Sequence, residues 1–143
     1  MPRPQGMPIG RRLALTAKAV SRAFGDALAE AGGSEHVWLI LLALKTRENA
    51  NQRELASVVG IQGATLTHHL NAMEEDGLVT RRRDPRNRRI HVVELTPDGE
   101  AAFARMRTAA VEFDRRLRGD LTDEELARTS AVLDRLRAHV TEG

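Results

Sequence analysis

At 143 residues, with 41% hydrophobic and 29% charged, the chain has the length and balance of about one soluble globular domain. Its longest apolar run, Val37 to Leu44, falls well short of the roughly 20 residues a membrane-spanning helix needs. The lack of cysteine excludes disulfides and thiolate metal sites, and a net charge of only +2 makes any strongly basic segment a local concentration.

The opening Met1-Pro2-Arg3-Pro4-Gln5-Gly6 has no apolar stretch behind it and reads as a frayed tail, so the cytoplasm is the default location. A first helix follows. Its apolar residues Leu13, Ala17, Val20, Phe24, Ala27, Leu28 and Ala31 recur at spacings of three and four until Gly32-Gly33 stops it. Ser34 is the N-cap of a second helix through Trp38, Leu41, Leu42 and Lys45, apolar enough around its girth to be central. Asn51-Gln52-Arg53-Glu54 has the form of a capping box and opens a third helix that Gly60 ends.

After the turn Gly60-Ile61-Gln62, a fourth helix runs from about Gly63 to Asp76. Leu66, Leu70 and Met73 fall in one sector of it. The opposite sector holds Ala64, Thr67, His68 and Asn71, with Thr65 and Ala72 at its edge. Small and hydrogen-bonding side chains on an outward face let a helix sit deep in a major groove and reach base edges. Gly77 stops this helix, and two strands are expected at Leu78 to Arg82 and Ile90 to Leu95, with Asp84-Pro85 turning the loop between them. The segment Arg81 to Arg89 carries six arginines against one aspartate, a local charge of +5. Guanidinium groups stay ionised and suit phosphates or a narrow minor groove. The division is a neutral helix for reading and a cationic wing for holding.

Thr96-Pro97-Asp98 starts a fifth helix, with Ala102, Met106, Ala109, Phe113 and Leu117 at helical spacing. Thr122-Asp123-Glu124-Glu125 is the capping box of a sixth, whose Leu126, Thr129, Leu133, Leu136 and Val140 follow a seven-residue pattern. In a single chain these terminal stripes have little to pack on except one another or a second copy, which points to a twofold homodimer. The expected fold is therefore mainly α with a small β-wing, one domain over residues 1–143. Residues 9–33 and 100–143 are its dimerisation helices, and 34–99 its winged helix-turn-helix.

The order Trp38, Gln52-Arg53-Glu54-Leu55-Ala56, Gly60-Ile61, Thr65-Leu66-Thr67, Glu74-Glu75-Asp76-Gly77-Leu78-Val79, Asp84-Pro85-Arg86 and Leu95-Thr96-Pro97-Asp98-Gly99 resembles the MarR family of bacterial transcription regulators. The resemblance is good from about Val37 to Gly99. It implies a dimer with interlocked terminal helices, offering two winged modules to a palindromic double-stranded operator. It also implies a repressor relieved by a small, often aromatic or anionic, effector. Gln62, Gly63, Ala64, Thr65, Thr67, His68 and Asn71 become the recognition-helix contacts. In the wing, the resemblance gives Arg86 the minor groove and Asp84 the shaping of the loop, while Arg88 and Arg89 are expected on phosphates. His36, Trp38 and His69 border the family's effector cleft by the same resemblance, and Lys18 on the first helix is expected to offer positive charge nearby for an anionic ligand. Gln62 stands where the family commonly has a serine or threonine cap, His68 at a frequent arginine position, and His69 at a commonly apolar one.

No nucleophile, base and orienting acid can be placed together, so no enzyme is expected. The five scattered histidines lack a paired acid at ligand spacing, and neither metal nor cofactor is expected. Two other readings fit the same pattern: an architectural DNA binder without an effector, and a winged helix that meets a partner protein.

Overall fold

The computed structural model describes residues 6–47 and 50–141; the tail expected at Met1 to Gln5 lies outside the described residues. The elements follow in the expected order. They are α1 (Ile9–Glu30), α2 (Glu35–Thr46), α3 (Gln52–Val59), α4 (Gly63–Glu75), β1 (Val79–Asp84), β2 (Asn87–Leu95), α5 (Pro97–Arg118) and α6 (Asp123–Thr141). They form two compact units, one ending at Ala110 and one beginning at Val111, with the boundary inside α5. Among the described residues no single helix is long and apolar enough to cross a membrane.

The first unit is organised around α2. Ser34 Oγ accepts the Val37 N–H at 3.3 Å and starts the helix. Trp38, Ile40, Leu41, Ala43 and Leu44 are then buried, as the sequence implied for a central helix. Leu55 of α3 and Leu66, Leu70 and Met73 of α4 join them in one core, closed by Leu28, Val79, Val93, Ala102 and Met106. Burial of that kind is the main favourable term in folding. Helix α1 contributes little to it. Only Leu28 of α1 is buried, whereas Ile9, Leu13 and Leu15 are exposed.

Local chemistry sets the joints. The Glu54 N–H donates to Asn51 Oδ1 at 2.8 Å. The reciprocal half of the expected capping box runs to the Asn51 side-chain amide, which donates to the Glu54 carboxylate. Gly60 closes α3 in the left-handed region at φ 79°, where a side chain would be strained. The Thr96 hydroxyl donates to the Gly77 carbonyl and accepts the Gly99 N–H at 3.0 Å, so one side chain spans the end of α4 and the start of α5. At Gly99 a Cβ would lie 2.0 Å from the Leu78 carbonyl oxygen, and only glycine admits that approach.

The hairpin is longer than its sequence suggested. Both strands reach into the arginine segment, which is strand for most of its length and leaves only Pro85-Arg86 as the connecting loop. The cause is Asp84, whose Oδ1 accepts the Arg86 N–H at 2.8 Å and turns the chain tightly enough for Asp84 to pair with Asn87. The register then slips between Arg83, paired with His91, and Asp84, so Arg88, Arg89 and Ile90 bulge from the ladder. At its base β2 meets the segment before α3 through Val93 N–H to Ala50 O at 3.1 Å.

In the second unit, Thr122 and Glu125 form the complete capping box of α6, each accepting the other's backbone N–H at 3.1 Å. No residue of α6 is buried, and Val132, Leu133 and Val140 are exposed on it, with Val111, Leu117 and Leu121 exposed before it.

Candidate nucleic-acid interface

Helix α4 offers an outward face that is small and uncharged over its first three turns. Gln62, Gly63, Ala64, Thr65, His68 and Asn71 are exposed along it. Gln62 makes no side-chain cap, leaving the helix start without the usual hydroxyl. Thr67 is turned partly inward. Its hydroxyl donates to the Gly63 carbonyl at 3.0 Å and accepts from Gln52 Nε2 at 3.4 Å, which ties α4 to α3.

The six arginines divide into two sets. Arg81 reaches back to α4, where one guanidinium nitrogen donates to Asn71 Oδ1 at 2.6 Å and to Glu74 Oε1 at 3.1 Å, while its backbone N–H donates to Glu74 Oε2 at 3.1 Å. That hydrogen-bonded guanidinium holds the Glu74 carboxyl below the usual carboxylate range, more than offsetting the opposite effect of desolvation. Arg82 is paired across the hairpin with Glu94 at 2.7 Å. Arg83, Arg86, Arg88 and Arg89 make no ion pair among the described residues. Asp84 and Asn87 are spent on shaping the tip, each accepting the backbone N–H two residues on. Four exposed cations therefore remain at the tip of a hairpin whose base is fixed.

Between the tip and α3 lies a cavity of about 470 Å³ lined by Asn51, Gln52, Arg53, Arg89, Ile90 and His91. It extends the cationic surface onto the first turn of α3. Sequence reading missed Arg53, His91 and the inward use of Arg81. A carboxylate on α4 seven residues before Arg81 was the available signal for the last of these.

Of the residues expected around an effector, two on different helices are brought into contact. His36 and His69 face each other with ring centroids 4.7 Å apart, and His68 lies 5.7 Å from His69. Desolvation pushes the His69 imidazole below its ordinary value, and the neighbouring His36 and His68 push it further the same way. Trp38 is buried and stacked on Phe103, 5.5 Å between centroids and 8° from parallel. Lys18 lines a groove of about 410 Å³ walled by α1 alone, with Leu15, Arg22 and Asp26. Among the described residues no group of three His, Cys, Asp or Glu is placed to hold a metal ion.

A family model described as the MarR family matches residues 34–91, the stretch from the α2 cap through most of the wing. That stretch is a MarR-family module. The chain is 30% identical over 101 residues to the uncharacterized HTH-type transcriptional regulator YdgJ of Bacillus subtilis (strain 168), covering 71% of this chain and 62% of that relative. The chain thus spans less than two thirds of YdgJ. Its fold is similar to that of the transcriptional regulator PA3341, at a TM-score of 0.77, 31% identity, and 95% and 100% of the two chains covered. The transcriptional repressor CouR, solved on a 23-mer DNA duplex, matches at a TM-score of 0.82 and 27% identity, with 91% and 92% covered. The mainly helical winged fold read from the sequence is the fold of these two solved regulators.

Proposed function

We propose that this chain is a sequence-specific, non-enzymatic transcription regulator that binds a palindromic operator as a homodimer, acts as a repressor and is released by a small aromatic or anionic ligand. The observation that carries the reading is the pairing of a neutral, exposed α4 face with a hairpin tip bearing four arginines that make no ion pair among the described residues. Gln62, Gly63, Ala64, Thr65, His68 and Asn71 then face the major groove, and Thr67 supports them from the α3 side. Arg86 enters the minor groove from the tight turn that Asp84 builds, and Arg88 and Arg89 take phosphates from the bulge. CouR, a similar repressor, is bound to duplex DNA in its own structure, which supports the same docking here.

Residues 34–99 serve as the DNA module, and 9–33 with 100–143 as the dimer helices. The exposed apolar residues of α1 and of the second unit support that assignment, since surface of this kind is stable when a second copy covers it. An effector wedged beside His36 and His69, with Lys18 and Trp38 nearby in the dimer, would release DNA only as far as it prefers a different module spacing. Such a protein works where the chromosome is, in the cytoplasm.

The test is selection from a random duplex library, followed by anisotropy titration of the enriched sequence against scrambled competitor. An inverted repeat with half-sites roughly 34 Å apart is expected. Equal affinity for scrambled duplex refutes sequence reading. Aromatic carboxylates are then titrated onto the complex while Trp38 fluorescence is followed, and release by none of a broad panel refutes the effector.

A further inference from the structure

Arginine has five N–H donors and no acceptor, so the atom of Asn71 that meets the Arg81 guanidinium at 2.6 Å must be the carbonyl Oδ1. The amide of Asn71 is thereby oriented, which an exposed asparagine ordinarily is not. Arg81 is itself held by the Glu74 carboxylate at 3.1 Å through both its guanidinium and its backbone N–H, and its side chain is only 19% exposed. Asn71 sits on the exposed face of α4, and its Nδ2 has no partner among the described residues.

We infer that Arg81 is a positioning residue that sets base specificity, by presenting Asn71 to the major groove as a hydrogen-bond donor. The inference rests on the DNA-reading function proposed above and adds what α4 reads at one point. An asparagine free to turn reads adenine with both ends of its amide, Oδ1 accepting from N6 while Nδ2 donates to N7. Here one lone pair of Oδ1 already accepts a short charge-assisted bond, which weakens the second as an acceptor and leaves Nδ2 as the free and stronger end. The groove edges that answer such a donor without offering one beside it are guanine, with O6 and N7, and thymine, with O4. One of the six wing arginines is thus spent inside the protein, biasing a two-ended reader toward its donor end.

The experiment measures relative affinity of the intact protein for an operator panel in which each base pair is varied singly. Asn71→Ala should remove a guanine or thymine preference at one symmetry-related pair of positions, about tenfold for a well-placed contact. Asn71→Asp, nearly isosteric and still able to pair with Arg81, replaces the donor by an acceptor. It should move the preference at that same position to a base with an exposed amino group, cytosine above all. Arg81→Met should admit adenine there and leave other positions unchanged, while Arg81→Lys, with a single-point donor, should fall between.

If Arg81→Met weakens every operator by one factor and lowers the salt dependence, Arg81 is a phosphate contact and the inference is wrong. It is equally wrong if Asn71→Asp keeps the parent preference, a result that stands even if Arg81→Met fails to fold. Unmutated protein with no base preference anywhere overturns the DNA-reading function itself, and that failure appears before any variant is made.

Discussion

Arg88→Ala tests whether the unpaired arginines, and not the total charge of the wing, set the electrostatic grip. Arg88 is exposed in the bulge and makes no ion pair among the described residues, whereas Arg82 is neutralised by Glu94 at 2.7 Å. In a homodimer each substitution counts twice. Losing one phosphate contact per copy lowers the slope of log affinity against log salt by about 0.9 for each, or about 1.8 for the dimer. Between ~50 and ~200 mM salt, an interval of about 0.6 in log units, the variant's affinity should therefore fall by roughly tenfold less than the parent's. The assay is fluorescence anisotropy of a labelled operator over that salt range. The paired change Arg82→Ala with Glu94→Ala is the control, because it removes a charge pair that makes no phosphate contact; its slope should match the parent's. An unchanged slope for Arg88→Ala, or an equal drop for the control, refutes the division of the arginines into spent and available.

Arg86→Ala should weaken operator binding by about 1 to 3 kcal/mol with no change in melting temperature, since its side chain is exposed and only its backbone N–H serves the turn; calorimetric melting beside the titration separates the two. His69 is held below its ordinary value in the folded chain, so the unfolded chain takes up the proton first as pH falls. Its contribution is fully present above about pH 6.5 and is lost as pH drops through that value toward the folded one. Denaturant unfolding from pH 8 to 5.5 should show stability falling, and His69→Gln should flatten the fall; an identical slope in the variant discards the assignment. Gly99→Ala should cost about 1 to 3 kcal/mol or more, because the new methyl meets the Leu78 carbonyl at 2.0 Å, a backbone atom that cannot swing aside. Wild-type stability in that variant would show that α5 can shift at its start.

What the sequence made legible was what repeats or punctuates. Leu66, Leu70 and Met73 declared the buried side of α4 by their spacing, and Ser34, Gly60 and Thr122 marked joints that the structure uses as read. Contacts between residues far apart in the chain carry no such periodicity. A run of arginines does not by itself say which one turns inward, and the carboxylate of Glu74 singles out Arg81 only once α4 and β1 are packed. The extent of the strands was hidden for a related reason: the Asp84 carboxylate tightens a turn that composition alone suggests is a long loop. His36 and His69 were both singled out, yet their ring contact follows from the crossing of α2 and α4, which neither helix states by itself.

The Thr96 hydroxyl has a mechanical meaning. Packed side chains transmit motion imperfectly, since rotamers yield before backbones do. Here the carbonyl of Gly77, just past the reading helix, and the amide of Gly99, in the first turn of α5, grip the same oxygen. Leu78 O also accepts the Thr96 N–H at 3.1 Å, so the joint is double, and its single side chain is short and bonded on both sides to main chain. A displacement of the start of α5 must therefore drag the end of α4 with it, as a crank turns a shaft. Helix α4 is geared to the helix beyond the hairpin, not merely leaning on it.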